Sequence, residues 1–186
     1  MVAPPVHDEE WFSALYARGY GPILDYGRRR LADVEAASEL AQEVFVVAWR
    51  RRAEVPEPSL PWLYGVARRL LANQWRARRA AAPRVPVDDL DRIAGSPGAD
   101  AGVGVADVRS ALATLADSDQ ELLRLVGWEE LTVAEAAGVL GCTRAAAAVR
   151  LHRARRRLLA AMSNPARRPT PGAATPALAA MIRKET

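Results

Sequence analysis

Between Ser59 and Arg79, five arginines (Arg68, Arg69, Arg76, Arg78 and Arg79) occur without a single acid, and Trp62, Tyr64 and Trp75 are interleaved with them. In a helix, Arg69, Asn73 and Arg76 fall on one face at i, i+4 and i+7. Guanidinium for phosphate, ring for base and amide for a base edge make up the chemistry that holds single-stranded DNA. Trp62 reads equally well as a core residue, whereas Trp75, set among arginines, suits stacking or a wedge against bases.

A second basic cluster lies near the C-terminal end. Six arginines and no acid fall between Arg144 and Arg157. The same stretch sets Ala147, Leu151, Ala154 and Leu158 on one apolar stripe, with Val149, Arg153 and Arg156 facing the other way and His152 and Arg157 flanking them. Upstream, Thr132 can cap a short helix, Ala136 and Ala137 permit close helix crossing, and Gly141 sits where a tight turn needs a permissive backbone. This spacing is that of a helix–turn–helix whose second helix offers arginines to phosphates and guanines. Charge alone fits a solvated basic face; the turn spacing favours DNA.

The third cluster is acidic. Glu35, Glu39 and Glu43 follow at intervals of four, with Gln42 beside them. Like charges at i, i+4 repel by a few tenths of a kcal/mol per pair. Such a stripe is either a solvated face or the match to a basic protein partner.

Helices must position all three. Alanine, leucine and arginine dominate the text, favouring helix, and no strand pattern is credible. Helix starts fall at Asp8 or Ser13, at Pro22 for a second helix through Leu31, and at Asp33 for a long helix to about Arg52. Pro56 and Pro58 break that helix, and another runs from Ser59 to about Arg79. Four more are expected near 105–115, 118–126, 132–140 and 143–162. The intervening stretch, APRVPVDDLDRIAGSPGADAGVG, reads as a linker. The class is therefore all-α: two small helical domains, 8–81 and 105–162, joined by a flexible linker at 82–104, with a disordered tail at 163–186. Within the tail, residues 177–184 could form a short amphipathic helix on a partner.

Composition narrows the function. The chain of 186 residues carries a formal charge of +4 and a pI near 9.8, which suits an acidic partner such as nucleic acid. Cys142 is the only cysteine, so neither an internal disulfide nor a cysteine-rich metal site is available. No apolar run reaches membrane length, and the first ten residues lack the pattern of a secretory signal. His7 lies near the N-terminus, His152 lies among arginines, and Cys142 suits a small buried site, so no catalytic, cofactor or metal constellation is expected.

In combination, these segments resemble a bacterial RNA polymerase sigma factor of the extracytoplasmic-function (ECF) type, with sigma-70 regions 2 and 4 only. ELAQEVFVVAWRR (Glu39–Arg52) resembles the core-binding signature of region 2, PWLYGVARRLLANQWRARR (Pro61–Arg79) its −10-reading segment, and Ala111–Leu158 region 4. The resemblance implies that Glu39, Leu40, Gln42, Glu43 and Phe45, with Glu35 on the same stripe, dock on the β′ clamp helices of core polymerase. It implies −10 contacts for Trp62, Arg68, Arg69, Asn73, Trp75 and Arg76, and a flipped base received by the loop Ala53–Leu60. It implies −35 contacts for Thr143, Arg144, Ala148, Val149, Arg150, His152 and Arg153. A β-flap contact, promoter DNA, an anti-sigma partner, a cytoplasmic, nucleoid-associated location and no membrane contact of its own follow by the same likeness. The recognition segment departs from the pattern in RAAAAV (Arg144–Val149), where small side chains replace larger ones, so thymine methyls, DNA shape and Arg153 are expected to carry more of the −35 readout. Two rivals remain: a DNA-binding regulator that ignores polymerase, and a helical interaction module whose charges only solubilise it.

Overall fold

The computed structural model describes residues 7–31, 33–81 and 103–163, and among these every regular element is a helix. α1 spans Glu9–Arg28, α2 Val34–Arg50, α3 Leu60–Ala81, α4 Val103–Leu112, α5 Asp117–Gly127, α6 Val133–Leu140 and α7 Arg144–Ser163. The expected linker, apart from its last two positions, and all but the first residue of the expected tail, including 177–184, lie outside the described residues.

Local chemistry sets most helix ends. The Asp8 side chain accepts from the Trp11 N–H at 2.9 Å, and the Asp33 side chain from the Glu35 N–H at 2.8 Å. Both use the N-cap to satisfy an orphan amide. Pro56 and Pro58 stop the chain after a 3-10 turn at Arg52–Glu54, and a cis Glu57–Pro58 peptide leads into α3.

One expectation fails. Pro22 does not start a helix; it lies inside α1, which runs unbroken for 20 residues. An interior proline costs about 3 kcal/mol through a lost hydrogen bond and a ring clash. That cost is outweighed because Leu15, Gly19, Ile23 and Tyr26 form one fully buried face, which a break at Pro22 would divide.

α1, α2 and α3 pack on one another as the first body. Its core holds Leu15, Ile23, Tyr26, Leu40, Val44, Phe45, Leu63 and Leu71. Two glycines let the helices approach. A Cβ on Gly19 would come within 3.1 Å of both Phe45 and Leu63, and one on Gly27 within 3.2 Å of the Ala37 backbone. α4, α5 and α6 pack around α7 as the second body, on Leu112, Leu122, Leu125, Ala136, Leu151 and Ala154. The two bodies touch: α6 lies against α3.

Candidate nucleic-acid interface

In the second body the turn between α6 and α7 is built as its sequence requires. Thr132 and Glu135 form a reciprocal capping box, with the Thr132 N–H donating to the Glu135 carboxylate at 2.8 Å. The Thr132 hydroxyl and backbone N–H hold the Glu135 carboxyl below the usual carboxylate range. Gly141 ends α6 in the left-handed conformation at φ 69°, where a side chain would be strained. Thr143 then caps α7, its hydroxyl accepting from the Ala146 N–H at 3.2 Å.

This turn aims α7. Ala147, Leu151 and Ala154 are buried, and Leu158 is half-buried. Thr143, Arg144, Ala148, Val149, Arg150, His152 and Arg153 are all exposed. A shallow groove of about 500 Å³ is lined by Asp119, Ala145, Ala146, Val149, Arg150, Arg153 and Arg157. Val149 is 52% exposed, an apolar contact available to a thymine methyl. Arg157 is partly committed, because its guanidinium pairs with Asp119.

In the first body, α3 buries Leu63, Tyr64, Val66, Ala67 and Leu71 against α1 and α2. The opposite face carries exposed Arg69, Asn73, Trp75 and Arg76. Arg76 donates to the Asn73 side chain and to the Ala72 carbonyl, so arginine and amide are held together. Trp75 is 41% exposed. Arg68 is half-buried, as is Trp62, with the Arg51 guanidinium 5.9 Å from the Trp62 ring. The side chains at 78 and 79 lie outside the described set.

α2 presents Glu35, Glu39, Gln42 and Glu43 to solvent, whereas Leu40 and Phe45 lie in the core. The two apolar residues of that motif hold α2 in place, and the polar ones face outward. Phe45 packs edge-on to Phe12 and tilts against Tyr16 and Tyr20. Among the described residues, no group of three or more His, Cys, Asp or Glu is placed to hold a metal ion, and no helix is long and apolar enough to cross a membrane.

Sequence reasoning missed one constellation. Arg29 and Arg30, in the run Arg28–Arg30, meet Glu121 and Glu129 across the two bodies. The triple arginine was a visible signal, but no local period joins it to glutamates about ninety residues away.

Fold and surface together define a class: a helix–turn–helix protein carrying a second helical bundle with its own arginine–tryptophan face. The comparisons with known proteins name that class. The family model described as Sigma-70 region 2 matches residues 15–81, and that described as Sigma-70, region 4 matches residues 106–158. The probable RNA polymerase sigma factor RfaY of Xanthomonas campestris is 33% identical over 132 residues, 66% of this chain and 33% of that protein. The RNA polymerase sigma factor YlaC of Bacillus subtilis is 29% identical over 153 residues, 76% of this chain and 86% of that one. The ECF sigma factor EcfG of Rhodopseudomonas palustris is 28% identical over 130 residues, 69% of this chain and 72% of that one. In fold, the chain is similar to the sigma factor RpoE of Bartonella quintana, solved with the anti-sigma factor NepR, at a TM-score of 0.63 and 19% identity over 84% of this chain and 99% of that one. It is also similar to CnrH, solved with the cytosolic domain of CnrY, at 0.59 and 23% identity over 84% of this chain and 90% of that one. The chain belongs to the sigma-70 family of RNA polymerase sigma factors, of the ECF type, and is a transcription initiation factor.

Proposed function

We propose that the chain recruits core RNA polymerase to promoters by reading a −35 element with α7 and a −10 element with α3, and that it helps to open the −10 segment. The observation that carries this reading is the pair of exposed arginine faces, one on each body, each lying within its matched sigma region. In this reading region 2 occupies residues 8–81, region 4 residues 105–162, with a linker at 82–104 and a tail at 163–186.

α7 enters duplex DNA with Arg144, Arg150 and Arg153 toward phosphates and base edges, and Thr143, Ala148, Val149 and His152 beside them. Arg69, Asn73 and Arg76 hold the backbone and base edges of the displaced strand, with Arg68 and Trp62 behind and Trp75 available to stack. Capturing an extruded base offsets an unstacking cost of a few kcal/mol. Bond-forming chemistry belongs to the polymerase, and this chain contributes binding only. Glu35, Glu39, Gln42 and Glu43 face the β′ clamp helices, and region 4 meets the β flap. An anti-sigma factor is a natural partner, since the Bartonella quintana sigma factor of similar fold was solved with one. The site of action is the cytoplasm, on the nucleoid.

A linker of about 23 residues reaches at most roughly 75–80 Å. Spanning one and a half to two turns of B-DNA takes roughly 50–70 Å, so the tether suffices. Run-off transcription with purified core polymerase over a genomic promoter library tests the reading; absence of any specific transcript overturns it. Arg69→Ala with Asn73→Ala should impair open-complex formation on duplex promoters more than on pre-melted ones. Equal defects on both would remove α3 from the −10 role.

A further inference from the structure

A buried carboxylate from outside the recognition helix lines the groove that α7 offers to DNA. Between Arg144 and Arg157, α7 carries six arginines and no acid; the one acid lining the groove, Asp119, comes from α5. Asp119 lies in the first turn of that helix, which packs on α7, and is 4% exposed. Arg157 Nη1 donates to Asp119 Oδ2, and the Arg157 side chain is 61% exposed. A guanidinium presents five N–H donors in a planar fork, so this bond leaves the rest of the fork for a second acceptor. Arg150, Arg153 and Arg157 all line the groove and share one helix face at i, i+3 and i+7. Among the described residues, an ion pair holds Arg157 and none holds Arg150 or Arg153.

We propose that Asp119 is a positioning residue for DNA: it pins Arg157 as a clamp for one backbone phosphate at the rim of the major groove, a role that rests on the reading of α7 above. Arg157 lies about 18 Å along the helix axis from Ala145, in the first turn of α7. The major groove is about 12 Å wide. When the first turns of α7 reach base edges, Arg157 therefore stands over the sugar–phosphate backbone. A pair with so exposed an arginine adds little to stability, so stability does not account for it. Binding does. Immobilising one long side chain on association costs about two- to twelvefold in affinity, and Asp119 has already immobilised Arg157 before DNA arrives. The carboxylate also repels the phosphate. Across the width of a guanidinium the two stand roughly 7 Å apart, and through salt solution that repulsion costs only about twofold. Positioning outweighs repulsion, by about threefold at the middle of the range. The acid thus strengthens DNA binding although its charge has the wrong sign.

That inverted sign is the test. Phosphate contacts carry no sequence information, so the full chain is titrated by fluorescence anisotropy with short duplexes of random sequence between about 50 and 200 mM salt. Arg157→Ala should lower the slope of log affinity against log salt by about 1. Asp119→Asn should weaken binding by about threefold in the unmutated chain, and strengthen it by about twofold in the Arg157→Ala background, where only repulsion remains. Circular dichroism melts show which variants fold. Arg157→Lys leaves Asp119 in place and alters only an exposed position; it should keep the slope yet weaken binding, because an ammonium cannot hold carboxylate and phosphate in one planar fork. An unchanged slope in Arg157→Ala, or no salt-dependent binding by the unmutated chain, overturns the clamp. Tighter binding from Asp119→Asn in both backgrounds makes the acid a brake and overturns its positioning role, as does unchanged affinity in Arg157→Lys. The duplexes contain no chosen promoter, so the outcome is decided apart from run-off transcription. Transcripts with a flat cycle would overturn the clamp and leave the promoter reading standing, and the predicted cycle without transcripts would do the reverse.

Discussion

Reversing Glu39 and Glu43 to lysine separates docking from folding, because the two energies differ about sixfold. Both side chains are exposed, and no ion pair holds either among the described residues. Glu35, Glu39 and Glu43 repel along the helix by a few tenths of a kcal/mol per pair. A lysine at position 39 would gain Glu35 as an i, i+4 partner, worth about 0.3–0.5 kcal/mol, while the lysines at 39 and 43 would still repel. The net change in stability should stay within about 0.5 kcal/mol. Against a basic surface, close interfacial charge pairs couple by at least about 1.5 kcal/mol each. Two lost pairs amount to about 3 kcal/mol or more, which is over a hundredfold in affinity. Fluorescence titration of labelled protein with core polymerase, beside thermal unfolding by circular dichroism, reads both quantities. Glu39→Gln with Glu43→Gln should fall between, with a shallower salt dependence. Core affinity within threefold of the unmutated chain at unchanged Tm would refute the assignment of the stripe to polymerase.

Three further perturbations address the scaffold. Thr132→Ala should destabilise the second body by about 1 kcal/mol through loss of the cap, read by urea unfolding. Because the Glu135 carboxyl is depressed by Thr132, its contribution is present above the ordinary carboxylate range and fades as pH falls through its lowered value. The variant should therefore lose less stability than its parent on acidification. Gly27→Ala should cost about 1–2 kcal/mol despite better helix propensity, because the new methyl meets the Ala37 backbone and not a movable side chain. Equal or higher stability would mean that α1 and α2 can part there. Burial pushes the Tyr64 hydroxyl up to about 12 and raises that of Tyr26 as well. Stability from these groups is whole below pH 10 and lost as pH rises through the raised values, so Tm should fall steeply between about pH 10 and 12. Tyr64→Phe should flatten part of that fall.

The caps at Asp8, Asp33 and Thr132, the turn at Gly141 and the apolar stripe of α7 were legible in the sequence because each rests on neighbours within four residues. The same holds for the exposed faces of α3 and α7, since helical periodicity decides which residues share a side. Pro22 was misread because its local cost is real and is outweighed by a buried face assembled from three helices. Leu40 and Phe45 share a motif with glutamates, and only the packing of α2 on α1 and α3 divides that motif into core and surface. Arg30 meets Glu121 and Glu129 across the intervening chain, a contact no local rule encodes. Short-range hydrogen bonding and periodicity therefore determined the helices and the faces they offer. Tertiary packing alone decided which charges are buried together, because desolvation and ion pairing depend on what the rest of the fold brings within a few ångströms.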